Sequence, residues 1–198
     1  MDEPFSALDP LIKVQIQDEL LDLMEEMQRT VLFVTHDLDE ALKLGHRITI
    51  MEAGKTVQKG TPEEIIVNPK TEYVANFVDN ADPSDVLRAE TIASKDFRVS
   101  EDNRVRIDDN TEVLVNSGKE VKEAYISGTP VSIEPLEDYE AMEEESVLYV
   151  SPDMPISAIM RARLNYTSTP VLVLQEGWLV GFVTEQDILH GLLEKGRQ

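Results

Sequence analysis

Two adjacent carboxylates, Asp2 and Glu3, stand near the start of the sequence, and His36 follows an apolar run at residues 30–35, just before Asp37. Adjacent carboxylates suit magnesium-dependent hydrolysis of a phosphoanhydride. One holds the metal, directly or through its water shell, while the other orients and deprotonates the attacking water. A histidine at the C-terminal edge of a strand can reach a terminal phosphate, because parallel sheets gather ligands at those ends. Taken singly, an Asp-Glu pair also reads as ordinary surface, and a lone histidine after a strand as a structural residue. A second phosphate signal, Gly54-Lys55-Thr56, fails on inspection. A phosphate-binding loop needs a glycine five residues before Gly54, where Thr49 stands, and it needs a strand before it and a helix after it. Gly118-Lys119 is followed by Glu120 and fails as well.

The elements that must position these groups are legible from period and punctuation. Residues 1–10 are turn-like, with Pro4 and Pro10. Ile12, Ile16, Leu20, Leu23, Met24 and Met27 recur at helical spacing with Lys13, Gln17, Asp18, Asp22 and Glu25 between them. This predicts an amphipathic helix. The β-branched run 30–35 predicts a short buried parallel strand. A short helix over 37–44 should follow, with Gly45 as its C-cap. Residues 47–52 and 56–59 predict a hairpin turning at Ala53-Gly54-Lys55. Thr61, Pro62 and Glu64 spell an N-cap, an N1 proline and an N3 glutamate, opening another helix. A further short helix fits 71–78. The first 80 residues thus read as an α/β layer.

Residues 79–84 are polar and contain Pro83, which places a domain boundary there. Short strand-like pieces, such as 112–116, occur among many charges in residues 97–140, and 134–145 reads as an acidic, solvated connector. From Ser146 the pattern sharpens into strand (147–150), helix (155–164), two strands (170–174 and 179–184) and a last helix (185–193).

The chain has 39 acidic against 18 basic residues, a formal charge of -21, and no cysteine. The excess is spread over both halves. Such a surface repels phosphate backbones and excludes general nucleic-acid binding. It suits either an ordinary acidic protein or one adapted to a salt-rich cytoplasm, where screening removes self-repulsion. The absence of cysteine excludes a disulfide framework or a thiolate metal site. No apolar run approaches the roughly 18 to 20 residues that span a bilayer, and the N-terminus lacks secretory signal features. A cytoplasmic location is expected.

Taken as an ordered string, Met1-Asp2-Glu3-Pro4-Phe5-Ser6-Ala7-Leu8-Asp9-Pro10 resembles the Walker B end and D-loop of an ABC ATPase, and Val34-Thr35-His36-Asp37 through Ala41 resembles its H-switch. Residues 47–65 resemble the strand pair and helix that close the same domain. The resemblance covers about residues 1–80, and the wording around Ser6 and His36 is most similar to importers of glycine betaine, proline and related osmolytes. It implies that Asp2 binds Mg²⁺, Glu3 is the general base, His36 contacts the γ-phosphate, and Ser6 and Asp9 communicate across a dimer. ATP and Mg²⁺ would be the cofactors and a transmembrane permease the partner, with the protein peripheral on the inner face of the cell membrane. Neither the family's P-loop nor its Leu-Ser-Gly-Gly signature loop occurs in this sequence. The fold expectation is therefore a partial P-loop-NTPase-type layer lacking its N-terminal half. On that reading the chain alone neither binds ATP tightly nor turns it over, and the strand at 30–35 is short of a sheet neighbour.

Residues 171–174 and 177–189 resemble the end of a CBS motif, matched upstream by the helix at 155–164. In CBS modules that bind adenine nucleotides a threonine contacts phosphate and an aspartate three residues on contacts ribose. Thr184 and Asp187 stand at those positions, and they also fit a helix cap and its first turn. The expectation is an α+β CBS-type module over 81–198: a degenerate first motif at about 85–140 and a clear second at about 146–195. The module would bind an adenine nucleotide or cyclic dinucleotide, and homodimers would form through the ATPase and CBS regions. Two other readings stay open: a stand-alone CBS-type regulatory protein sensing an adenine nucleotide or ionic strength, and an inert truncation product.

Overall fold

The computed structural model describes residues 1–27, 29–136, 146–165 and 170–193. These fall into two compact units, one from Met1 to Asp82 and the other from Pro83 onward.

In the first unit, α1 (Pro10–Met27) starts at Pro10, at the end of the segment that the sequence reads as turn-like. Asp9 accepts the Leu11 N–H through Oδ1 at 3.0 Å and Pro10 takes the first helical position, where its missing N–H costs nothing. The apolar stripe is not what α1 buries. Ile12, Ile16, Leu23 and Met27 are exposed, whereas Lys13, Gln17, Leu20 and Met24 lie on the inward side, with Gln17 buried. Period alone located the helix but not its inward face.

The segment 30–35 also departs from expectation. It pairs in parallel with Met1–Glu3, through Glu3 N–H to Val34 O at 2.8 Å and Val34 N–H to Met1 O at 2.9 Å. Among the described residues the ladder stops at this one bridge, and Leu32 and Val34 remain exposed rather than buried. A single short neighbour pairs one edge of the segment and covers neither face. Phe5, buried and stacked on Phe33 with ring centroids 6.4 Å apart, pins residues 1–9 to it.

Beyond it, α2 (Leu38–Leu44) is capped by Asp37, whose carboxylate accepts the N–H groups of Asp39 and Glu40, and Gly45 N–H closes its end on Ala41. The hairpin β1 (Ile48–Glu52) and β2 (Lys55–Gly60) turns on Ala53 and Gly54, both at positive φ (48° and 75°). That two-residue turn has the mirror-image twist that antiparallel strands favour, so Gly54-Lys55-Thr56 is a hairpin tip. The helix α3 (Pro62–Val67) carries a complete capping box between Thr61 and Glu64, and α4 (Glu72–Val78) is capped by Thr71. Ile65, Ile66, Val74 and Val78 supply their shared core.

In the second unit, α5 (Ala89–Ile92) precedes four antiparallel strands, β3 (Arg104–Arg106), β4 (Thr111–Val115), β5 (Val121–Ile126) and β6 (Thr129–Pro135). Parallel pairing then joins β6 to β7 (Ser146–Val150) and β7 to β8 (Val171–Gln175), and β8 pairs antiparallel with β9 (Trp178–Val183). The seven strands lie in sequence order. The sheet curls until β9 meets the start of β5: Leu179 N–H reaches Lys119 O at 2.9 Å and Val121 N–H reaches Gly177 O at 3.0 Å. Gly118 allows this approach, since a Cβ there would stand 2.2 Å from the Trp178 ring.

Alternation along the strands gives the sheet two apolar faces. Val113, Val147, Leu172 and Phe182 fill the inside of the curl. Val150, Val171, Val173 and Val183 face α5, α6 (Ile156–Asn165) and α7 (Glu185–Leu193). The strand–helix–strand–strand–helix order of residues 146–193 matches the sequence expectation. Residues 104–135 carry a meander with no helix between its strands, so they do not repeat that order. Most of the acidic connector at 134–145 lies outside the described residues.

Candidate functional site

A cleft of about 260 Å³ in the first unit is lined by Glu3, Phe5, Ser6, Leu8, Lys13, Thr35, His36, Asp37 and Glu40, among others. It gathers three residues that the sequence singled out, Glu3, Ser6 and His36. Glu3 follows the parallel bridge and takes a left-handed backbone, φ 42°. That region is uncommon for a side chain with a Cβ and is associated with functional sites. His36 Nδ1 lies 2.7 Å from Glu3 Oε1. An ionised carboxylate can only accept, so Nδ1 carries the proton and Nε2 is left for a second partner. The hydrogen bond to Glu3, followed by the charge of the same carboxylate, holds the His36 imidazole above its usual pKa. His36 is 76% and Glu3 46% exposed, so both stand open to an incoming molecule.

Ser6 Oγ donates to the Glu3 carbonyl at 3.0 Å, tightening the turn that delivers Glu3. Asp9 caps α1 as described and does not line the cleft. Asp2 sits at the parallel bridge beside Glu3, with its side chain exposed. Among the described residues no three ligating side chains converge as a metal cage.

Beneath the pair lies a network that residue types did not announce. Lys13 Nζ contacts Asp37 Oδ2 at 2.6 Å and Glu40 Oε1 at 2.8 Å. Thr35 Oγ1 donates to Glu40 Oε2 at 2.5 Å and accepts the Asp37 N–H at 3.0 Å. The Glu40 side chain is only 6% exposed. Nothing local in the sequence pointed to a lysine on α1 as the partner of Asp37 and Glu40.

In the second unit Thr184 and Asp187 do meet. Asp187 Oδ2 accepts the Thr184 N–H at 2.8 Å and its hydroxyl at 2.6 Å, and Asp187 N–H returns to Thr184 Oγ1 at 3.2 Å. Asp187 Oδ1 accepts Ser94 Oγ at 3.1 Å. The two residues form a reciprocal cap of α7, with both carboxylate oxygens engaged.

The CBS domain family matches residues 137–194. The glycine betaine/carnitine transport ATP-binding protein of Listeria monocytogenes is 34% identical over 203 residues, covering 97% of this chain and 51% of that protein. The glycine betaine/proline betaine transport system ATP-binding protein of Salmonella typhimurium is 34% identical over 209 residues, 99% of this chain and 52% of its own. The glycine betaine transport ATP-binding protein of Bacillus subtilis is 53% identical over 107 residues, 54% of this chain and 26% of its own. The chain spans about half the length of the curated relatives it matches end to end. The relatives it matches are thus glycine betaine and proline betaine transport ATP-binding proteins, and the CBS domain family model matches within its C-terminal region.

Proposed function

We propose that this chain carries the hydrolytic end of the ATP-binding subunit of an ABC importer for glycine betaine, proline or a related osmolyte, followed by a CBS-type regulatory region. The observation that carries the reading is the Glu3–His36 pair, 2.7 Å apart and open to the cleft. The donor set suits the terminal phosphate and Mg²⁺ of a bound nucleotide: an exposed carboxylate at Asp2, a hydrogen-bonded carboxylate at Glu3, the Ser6 hydroxyl and an imidazole with one nitrogen uncommitted. Mg²⁺ is ordinarily held by one or two carboxylates together with substrate phosphates, so Asp2 would be its protein ligand. MgATP, when bound, supplies the phosphoanhydride to be cleaved.

Within the chain, Glu3 accepts a proton from the attacking water and fixes its line of approach. His36 holds the Glu3 carboxylate in one orientation through Nδ1–H and, in its doubly protonated form, donates Nε2–H to the terminal phosphate. Ser6 keeps the turn that aims Glu3. Ser6 and Asp9 lie on the segment that would face a second subunit in a homodimer, and the permease would be the membrane-embedded partner that brings the protein to the inner face of the membrane. Among the described residues no helix is long and apolar enough to cross a membrane. These 198 residues contain no glycine-rich loop to cradle the β- and γ-phosphates, so taken alone they should neither bind ATP tightly nor turn it over. In the second unit Thr184 and Asp187 serve first as the α7 cap, and an adenine nucleotide or cyclic dinucleotide would have to draw on the same oxygens.

The test is ATP hydrolysis and osmolyte uptake by the importer assembled from the whole subunit and its permease in proteoliposomes. Uptake of glycine betaine or proline that needs MgATP, and is abolished by Glu3→Gln with ATP still bound, is the expected result. Unchanged turnover in Glu3→Gln would overturn the assignment. Submicromolar ATP binding by the purified 198-residue chain would overturn the statement about the chain alone.

A further inference from the structure

The polar side of α1, not its apolar stripe, faces α2, and Lys13 is its centre. From α1 the Lys13 ammonium reaches across to Asp37 and Glu40, and Asp18 on the same helix reaches Lys43 at 2.7 Å. The two helices are joined by ion pairs of opposite sense. The consequence falls on the residue between Thr35 and Asp37. Glu40 uses one carboxylate oxygen for Lys13 and the other for the Thr35 hydroxyl, and that hydroxyl in turn accepts the Asp37 N–H. Asp37 gives one oxygen to Lys13 and the other to the first turn of α2. Both peptide neighbours of His36 are therefore tied, directly or through Glu40, to one ammonium. Among the described residues His36 itself has only Glu3 as a side-chain partner, and it is largely exposed.

We propose that Lys13 is a positioning residue for the Glu3–His36 pair: it locks the 35–37 loop so that the imidazole meets the Glu3 carboxylate. This rests on the function proposed above only for its catalytic meaning; the geometric claim stands on the chain alone. The lock works by electrostatics at partly dry atoms. Lys13 is 25% exposed and Glu40 6%, so an unpaired Glu40 carboxylate would have to rehydrate. Rehydration turns it away from Thr35 and releases the loop. Lysine is a compact point charge that can serve two carboxylates from different directions. The Lys13 ammonium is held in its charged form by those two partners, with a pKa above its ordinary value.

The test separates positioning from simple charge by sign. In the 198-residue chain, the His36 ring signals are followed by NMR from pH 5 to 9 and assigned by their absence in His36→Gln. If Lys13 acted only as a nearby cation, Lys13→Met would raise the His36 pKa, because a repelling charge has gone. If it positions the loop, Lys13→Met costs His36 its Glu3 partner and the pKa falls toward the ordinary 6.5. Lys13→Arg, which keeps the charge and the reach, should restore the wild-type titration. Thr35→Val breaks the relay while leaving the Lys13–Asp37 pair, and should lower the value too, by less; it decides the matter if Lys13→Met fails to fold. A His36 pKa that rises in Lys13→Met or stays put in Thr35→Val overturns the proposal. Hydrolysis by the assembled importer is scored separately. If Glu3→Gln leaves turnover intact while the titrations behave as expected, the function falls and the positioning role stands.

Discussion

The two units treat their chemistry-bearing residues in opposite ways. In the first, Glu3 and His36 are held by one hydrogen bond to each other and otherwise stand open, while the ion pairs beneath them are half dry. In the second, Thr184 and Asp187 spend their hydrogen-bonding capacity on each other and on Ser94. Their packing differs as well. Both faces of the central strands β7 and β8 are buried, but α1 leaves Ile12, Ile16, Leu23 and Met27 of its apolar stripe in solvent. A motif whose donors and acceptors close on themselves is architecture until a ligand displaces them. One with an uncommitted nitrogen beside an aimed carboxylate is equipped to act on something else. The contrast cautions against reading a functional motif from residue types alone.

The contrast is broken most directly at Glu3. In the assembled importer, Glu3→Gln keeps the size of the side chain and removes the base, and should lower ATP hydrolysis by about 10²- to 10⁴-fold, measured as MgATP turnover. The packing half of the comparison is probed next. Ile159→Ala, at a fully buried position on α6, should cost about 2–5 kcal/mol in denaturant unfolding of the second unit, and Leu11→Ala, on the exposed side of α1, should change stability by less than about 0.5 kcal/mol.

Thr184→Ala sharpens the capping assignment: about 1 kcal/mol should be lost from the second unit, read as a lower midpoint with AMP absent. If AMP raises the wild-type midpoint and this shift also disappears in Thr184→Ala, the cap doubles as a binding site. The smallest effect is at Asp37. Burial pushes its carboxyl up, but Lys13 and the N–H groups of α2 outweigh this and hold it below its usual 3.8. A folded pKa below the unfolded one stabilises above the unfolded value and stops doing so as pH falls through the folded value. The melting difference between wild type and Asp37→Asn should therefore be steady above pH 4 and should close as pH drops further below 3.8.

What the sequence by itself determined is the set of features that depend on a few neighbouring residues. The Thr61–Glu64 capping box, the hairpin tip at Ala53-Gly54 and the strand and helix order after Ser146 all arise within a turn or two of chain, where backbone geometry leaves few choices. The pairing of Glu3 with His36 was legible only through a resemblance, because 33 residues separate them. Tertiary structure decided the rest. Helical period says that α1 has two faces but not which one another element will cover, and here the covered side carries Lys13 and Gln17. Nor could alternation in residues 104–126 announce that β5 would be met by β9, since that closure depends on twist accumulated over the five strands from β5 to β9. The engagement of Asp187 by Ser94, 93 residues away, depends on the bridge that sets Ser94 beside Phe182 of β9. Long-range partners are chosen by the whole packed chain, and a short stretch of sequence holds only one side of each such contact.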